Sequence, residues 1–211
     1  MASSVIHMAV ANEINKIIKR DNAKLLIGSI APDISKNIGE SKTKSHFLDN
    51  EYDSIPNIDR FLNKYKNSLS DDFVLGYFIH LYTDYLWFKY FIPEISSRDY
   101  ITKLDGTVVK CTGNMMSKYI YNDYTNLNIQ LIEQYDMDLK IFYNEPPKLD
   151  NIIQEIPMEK IKVIIDQASI IIENSKGKKE YIFNIDNIKV FVKTSVNLIL
   201  SKLYELGLIN N

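Results

Sequence analysis

The residues of this chain best suited to chemistry are its three histidines, His7, His46 and His80, and the aspartates that accompany them. The most informative unit is His80-Leu81-Tyr82-Thr83-Asp84. On a helix, residues four apart share one face with Cβ atoms about 6 Å apart, near enough to share a metal ion or a proton. The surrounding stretch, Phe73 to Ile92, is the densest apolar run of the chain. An ionised carboxylate buried there is costly unless a partner compensates it. Two further positions fit the same chemistry: Asp33, in Ala31-Pro32-Asp33, and His46, in Ser45-His46-Phe47. Each alone has an ordinary reading. His80 and Asp84 make a hydrogen-bonded pair, His7 is a core histidine, Asp33 is a cap and His46 is a loop residue. Taken together, nitrogen and oxygen donors without thiolates suit zinc or a similar divalent ion in a hydrolytic site. The same donors admit manganese, iron or nickel.

These residues must be positioned by helices. Only 7 Gly and 6 Pro interrupt the 211 residues, and a helical period fits most of the sequence. A first helix is expected over about Ser3 to Arg20, carrying His7, and a short one from Asn22 to near Gly28. Because Ala31 precedes Pro32, it is expected to be extended, which puts Asp33 on a non-helical corner. Gly39 to Asp53 is polar and reads as loop, followed by a helix from Asn57 to about Asn67. Ser70-Asp71-Asp72 is a helix start, and the helix it opens is expected to run to Phe91 or Ile92, stopped by Pro93. Asp105-Gly106, flanked by Thr and Val, suggests a small hairpin near residues 100–110. Helices resume over about Asn114 to Asp136, Met158 to Asn174 and Ile185 to Leu206, with a turn or short linker at Ser175 to Lys179. The expected fold class is all-α, a multi-helix bundle with one hairpin, most simply one domain over residues 1–211.

Composition bounds the function. With 25 Lys+Arg against 27 Asp+Glu, the chain lacks the basic excess of a general nucleic-acid binder. One cysteine, Cys111, excludes an intramolecular disulfide framework and a cysteine-rich zinc module. The apolar run from Phe73 to Ile92 carries His80, Asp84 and Lys89, which argues against a transmembrane segment. No charged start leads into an apolar signal region, so a soluble, cytoplasmic protein is expected.

The ordered set His7, Leu25-Leu26-Ile27-Gly28-Ser29-Ile30-Ala31-Pro32-Asp33, Ser45-His46-Phe47, Gly76-Tyr77-Phe78-Ile79-His80 and Asp84 resembles the zinc-dependent phospholipase C family. That family is related in fold to the S1/P1 nucleases. The resemblance covers about Ser3 to Phe91. It implies an all-helical bundle of that type, with up to three zinc ions in a cleft where a metal-activated water attacks a phosphodiester. By resemblance, Asp33, His46, His80 and Asp84 form the ligand set of one zinc. Asp84 also bridges to a second metal, His7 is a ligand of that second metal, and Asp33 stands where the family has its proposed general base. Bridged metals of this kind acidify water and neutralise the attacking and leaving oxygens.

Two departures qualify the resemblance. In the secreted phospholipases the processed N-terminus supplies a ligand, whereas six residues precede His7 here. The family also uses a downstream histidine and a His-x-x-x-Glu unit, and this chain has no histidine after His80. Asp123 could replace them as an oxygen ligand, giving one or two ions; its ordinary reading is a solvated helix acid. Tyr82, Tyr121 and Tyr124 are candidate pocket-wall groups, with Tyr82 and Tyr124 assigned to substrate, and Lys42 and Lys44 could attract a phosphate. The leading expectation is a metal-dependent hydrolase of a small phosphate ester or a phospholipid. The helical HD-type phosphohydrolases need His followed directly by Asp, a dipeptide absent here. The alternative of a different class is a non-enzymatic helical domain whose structural or vestigial metal site serves partner binding.

Overall fold

Side-chain caps set where the helices begin. In the structure, a computed structural model describing residues 1–97, 99–111, 113–175 and 180–210, α1 (Ser4–Ile18) opens where the Ser3 hydroxyl accepts the Ile6 amide at 3.2 Å. The Asp21 carboxylate caps α2 (Asn22–Ile30) through the Lys24 amide at 3.1 Å. A 3₁₀ turn, Ala31–Asp33, leads straight into α3 (Ile34–Asn37). Next come the short α4 (Lys42–Ser45) and α5 (Ile58–Tyr65). Asp71 caps α6 (Asp72–Leu86) through the amides of Phe73 and Val74, at 2.9 and 3.0 Å. Such caps satisfy amides that the first helical turn leaves without partners. A π-helical turn, Trp87–Phe91, and α7 (Ile92–Ile95) follow α6.

The strands β1 (Tyr100–Thr102) and β2 (Val108–Lys110) pair antiparallel, with Ile101 opposite Val109. Gly106, at φ 82°, turns the hairpin, and the Asp105 carboxylate accepts the Thr107 amide at 2.9 Å. Three longer helices complete the chain: α8 (Gly113–Gln134), α9 (Ile161–Glu173) and α10 (Ile185–Glu205). The described residues are thus mostly helical with one small sheet, as the all-α expectation with a hairpin has it. Among them, no helix is long and apolar enough to cross a membrane.

Three local expectations are corrected. Ala31 is helical, at φ −57° and ψ −38°, rather than extended. A helical conformation before proline is disfavoured but attainable, and Pro32 sits at the start of the 3₁₀ turn, where its missing N–H breaks no helix bond. Asp33, at φ −73° and ψ −5°, therefore lies inside a continuous helical rod from α2 to α3 and not on a corner. The polar stretch 39–53 contains α4, whose start is capped by the Ser41 hydroxyl. Pro93 does not stop the helix at Phe91: the winding loosens to π at Trp87 and resumes in α7, where proline falls in the first turn. The expected linker at Ser175 to Lys179 lies, from residue 176 onward, outside the described residues.

Helix α6 is the axis of the core. It is buried on nearly every side and packs against α1, α2, α5 and α10. Its approach to α2 is set by two glycines. A Cβ on Gly28 would overlap the Phe73 carbonyl oxygen, and one on Gly76 would overlap that of Leu25. The two backbones are in direct contact there, leaving no room for even a methyl group. We expect Gly28→Ala or Gly76→Ala to cost about 1–3 kcal/mol or more of stability, as overpacking does, read as a lowered urea midpoint. Gly113→Ala, which faces open space at the start of α8, should leave the midpoint unchanged or raise it. A Gly28→Ala protein as stable as the wild type would show that the two helices are free to separate.

Candidate metal centre

Four stretches of chain bring five side chains to one buried point. Helix α1 contributes His7, the α2–α3 rod contributes Asp33, the residue closing α4 contributes His46, and α6 contributes His80 and Asp84. Their exposures are 0% for His7, His80 and Asp84, 1% for His46 and 8% for Asp33. The i,i+4 spacing of His80 and Asp84 does place both on one face, with Nε2 of His80 3.8 Å from Oδ2 of Asp84. His46 Nε2 lies 3.3 Å from His80 Nε2, 3.3 Å from Asp33 Oδ1 and 3.8 Å from Asp84 Oδ2.

Surrounding groups fix how each ring is turned. His80 Nδ1 meets the Ser29 carbonyl oxygen at 2.7 Å, so Nδ1 carries the proton and donates it outward. The Ser45 hydroxyl gives its proton to the Lys42 carbonyl at 3.3 Å and so accepts from His46 Nδ1 at 3.0 Å. Tyr77, buried on α6, donates to the Ser45 carbonyl and holds the end of α4 against the core. Phe47, the next residue after His46, is forced to φ 54°, costly for a bulky side chain. Its ring is held edge-on to Phe61 with centroids 5.2 Å apart. With both Nδ1 atoms engaged outward, the two Nε2 atoms face each other at 3.3 Å. That contact is repulsive until a cation or a proton lies between them.

The donor set fits a divalent ion. A tetrahedral site with arms of about 2.0–2.1 Å has edges of roughly 3.3–3.4 Å, and the four separations given above run from 3.3 to 3.8 Å. Asp33 Oδ1 and Asp84 Oδ2 are buried and make no hydrogen bond, and neither nitrogen of His7 makes one. Orphaned buried donors and acceptors at one point are what an ion would satisfy. The outward partners of His80 and His46 are the kind that orient metal-binding imidazoles. Two triads have ligand atoms within 4.8 Å of one another: Asp33–His46–His80 and His7–His80–Asp84. His7 stacks on His80, with centroids 3.7 Å apart and planes 11° from parallel.

Electrostatics follow from the burial. Burial, and after it the neighbouring His7, pushes the His80 pKa down to about 3 against the pull of Asp33 and Asp84. Burial raises the Asp33 carboxyl, but the adjacent histidines, His46 foremost, outweigh it and hold it at about 2. Asp84 is held well below the ordinary carboxylate range: burial opposes this, and His7 leads the groups that overcome it.

The remaining sequence-derived positions fall in different places. Asp123 is buried, not solvated, and does not join either triad. Its carboxylate accepts the amides of Tyr181, Ile182 and Phe183 at 2.9, 2.8 and 3.2 Å, tying α8 to the segment that leads into α10. Tyr124 donates its hydroxyl proton to the Met1 carbonyl and lines a pocket that Asp33 also lines. Tyr121 lines the same pocket, whereas Tyr82 packs between Phe78 and Tyr85, away from that wall. Lys44 borders a separate hollow with Phe47 and Arg60. Sequence reading missed the Ser29 carbonyl and the Ala2 amide, which donates to Asp84 Oδ1 at 2.9 Å. Backbone groups carry no residue-type signal. Gly28 and Gly76 stood in the sequence motifs, but their contact with each other's helix was not read from them.

No protein-family model matches the chain, and neither does any curated protein or solved structure.

Two outcomes are expected. Between pH 6.5 and about 3 the unfolded chain binds a proton on His80 that the folded chain refuses, so acidification across that window destabilises the metal-free protein. Asp33 acts in the same direction lower down, its stabilisation being lost as pH falls from 3.8 to about 2. Urea midpoints of the metal-free protein should thus fall steadily below neutrality, with a shallower fall in His80→Gln. Replacing Asp123 by Ala should cost about 2–3 kcal/mol through its lost charged hydrogen bonds while leaving metal content per chain unchanged.

Proposed function

We propose that the protein is a divalent-metal-dependent hydrolase of phosphate esters, with zinc the first candidate ion. One observation carries this reading: His46 and His80 aim their Nε2 atoms at each other at 3.3 Å, with Asp33 Oδ1 and Asp84 Oδ2 unpartnered beside them. The order of His7, Asp33, His46, His80 and Asp84 along the chain, with its resemblance to the phospholipase C family and that family's bundle, supports the same reading.

When bound, a divalent ion supplies Lewis acidity here, acidifying water and neutralising charge on a phosphate. The chain's own groups do the rest. His46 and His80, turned by Ser45 and Ser29, hold the ligand nitrogens in place. Asp84 lies wholly out of solvent, whereas Asp33 is 8% exposed and lines the pocket, so Asp33 is the carboxylate closer to substrate and water. Its pKa of about 2 keeps it ionised and able to accept a hydrogen bond from an attacking water. That same low basicity makes it an orienting acceptor more than a strong base.

Metal analysis of protein purified without chelator or nickel resin tests the proposal. We expect about one equivalent of zinc or a similar ion per chain, the capacity of one four-donor site. The ion should be lost in His80→Ala and in Asp84→Ala. Hydrolysis of bis(p-nitrophenyl) phosphate or p-nitrophenyl phosphate should disappear with it. A chain that takes up no zinc, manganese or iron refutes the metal centre. Metal that raises the melting temperature while no phosphate ester is turned over would make the ion structural.

A further inference from the structure

The pocket above Asp33 has a second polar side that the metal cluster does not use. Its free volume is about 350 Å³, and its wall includes Asp33, Lys36, Tyr121, Tyr124 and Asn128. That is the small end of the roughly 300–1,000 Å³ range of ligand pockets. Lys36 lies one helical turn beyond Asp33 on the α2–α3 rod, so the two residues share a face. Its ammonium is held by the Tyr121 hydroxyl at 3.0 Å and sits 5.0 Å from the centroid of that ring. Among the described residues no carboxylate pairs with it. An ammonium has three protons to donate, and Tyr121 takes one.

Asn128 also lines the pocket, but it is 1% exposed. Its Nδ2 donates to the Ser175 hydroxyl at 3.1 Å and its Oδ1 is buried, so it presents no polar atom to a ligand there.

We infer that Lys36 forms the phosphate-recognition side of this pocket, and that its substrate is a small phosphate ester, as the pocket's volume allows. Lys36 binds a phosphate oxygen turned away from the metal ligands. This inference rests on the reading of the His–Asp cluster as a phosphate-ester hydrolase centre. Without an ion, Asp33 and Asp84 repel an anion, so phosphate should bind to the zinc-loaded chain and not to the metal-free one.

Calorimetric titration of the zinc-loaded, full-length chain with inorganic phosphate tests Lys36 independently of turnover. Lys36→Met should weaken phosphate binding roughly tenfold, the loss of one charge-assisted hydrogen bond, with zinc content and melting temperature unchanged. Lys36→Arg should keep most of the affinity. Equal phosphate affinity in the wild type and Lys36→Met, both zinc-loaded, overturns the role of Lys36 and leaves the metal centre standing. A chain that binds no zinc overturns the hydrolase reading and this inference with it. Glycerol 3-phosphate should lose affinity in Lys36→Met as inorganic phosphate does. Dihexanoyl phosphatidylcholine, kept below its micelle concentration, should bind more weakly than glycerol 3-phosphate. The reverse order would overturn the assignment to a small soluble ester in favour of a lipid.

Discussion

The structure depends on how it confines two ionised carboxylates in its core. Asp33 and Asp84 are held ionised by their surroundings, and neither has a Lys or Arg partner among the described residues. Burying such charge without a counter-ion is among the costliest things a small protein can do. The imidazoles and the N-terminal ammonium beside them meet part of that cost, but burial lowers the ammonium's pKa and His80 resists taking a proton, so His80 cannot supply full positive charge near neutrality. A divalent cation removes the deficit at a stroke. On that view the cluster's carboxylates and facing nitrogens are a set that could hold an ion.

Helix packing makes the arrangement rigid. His80 can give its Nδ1 proton to the Ser29 carbonyl only because α2 lies against α6 at backbone distance, and Gly28 and Gly76 permit that approach. A larger residue at either glycine would move the carbonyl away and free the imidazole to turn. His46 is fixed from the other side, by the Ser45 hydroxyl, by Tyr77 and by the left-handed backbone of Phe47 just beyond it. A strained residue persists where packing over-determines it, and the Phe47 ring is locked among Phe61, Tyr65 and Tyr77. The aromatic cluster under α4 therefore acts on the site through one backbone conformation.

Much of this was legible in the sequence, and the reasons differ by residue. His80 and Asp84 were readable because helical spacing alone fixes their relative position, and Asp71 because its capping chemistry is local. The hairpin was readable from Asp105-Gly106, whose turn needs a positive φ. That His7, Asp33 and His46 would meet them came from residue type and order, since no local pattern encodes a contact across 34 or more residues. The conformation of Ala31 was misread because a preference against helix before proline was taken as a rule, while burial of Ala31, Pro32 and Asp33 against the core decided otherwise. Asp123 was misread because its partners are three backbone amides nearly 60 residues away, and amides leave no trace in residue type. The π turn after α6 likewise has no signature in a run of aromatic residues that fits any helical winding.

One nitrogen joins the two halves of the cluster. The two triads, Asp33–His46–His80 and His7–His80–Asp84, both require His80. Its Nδ1 is committed to the Ser29 carbonyl, so a single lone pair, on Nε2, is left for coordination. One lone pair serves one ion. Asp84 reaches both triads: Oδ2 faces His46 and His80, while Oδ1 accepts the Ala2 amide at 2.9 Å and lies 3.4 Å from His7 Nε2. A carboxylate oxygen has two lone pairs, so Oδ1 can keep the Ala2 amide and still meet a cation. A cation held through His80 would belong to one triad at a time, with Asp84 beside it in either case.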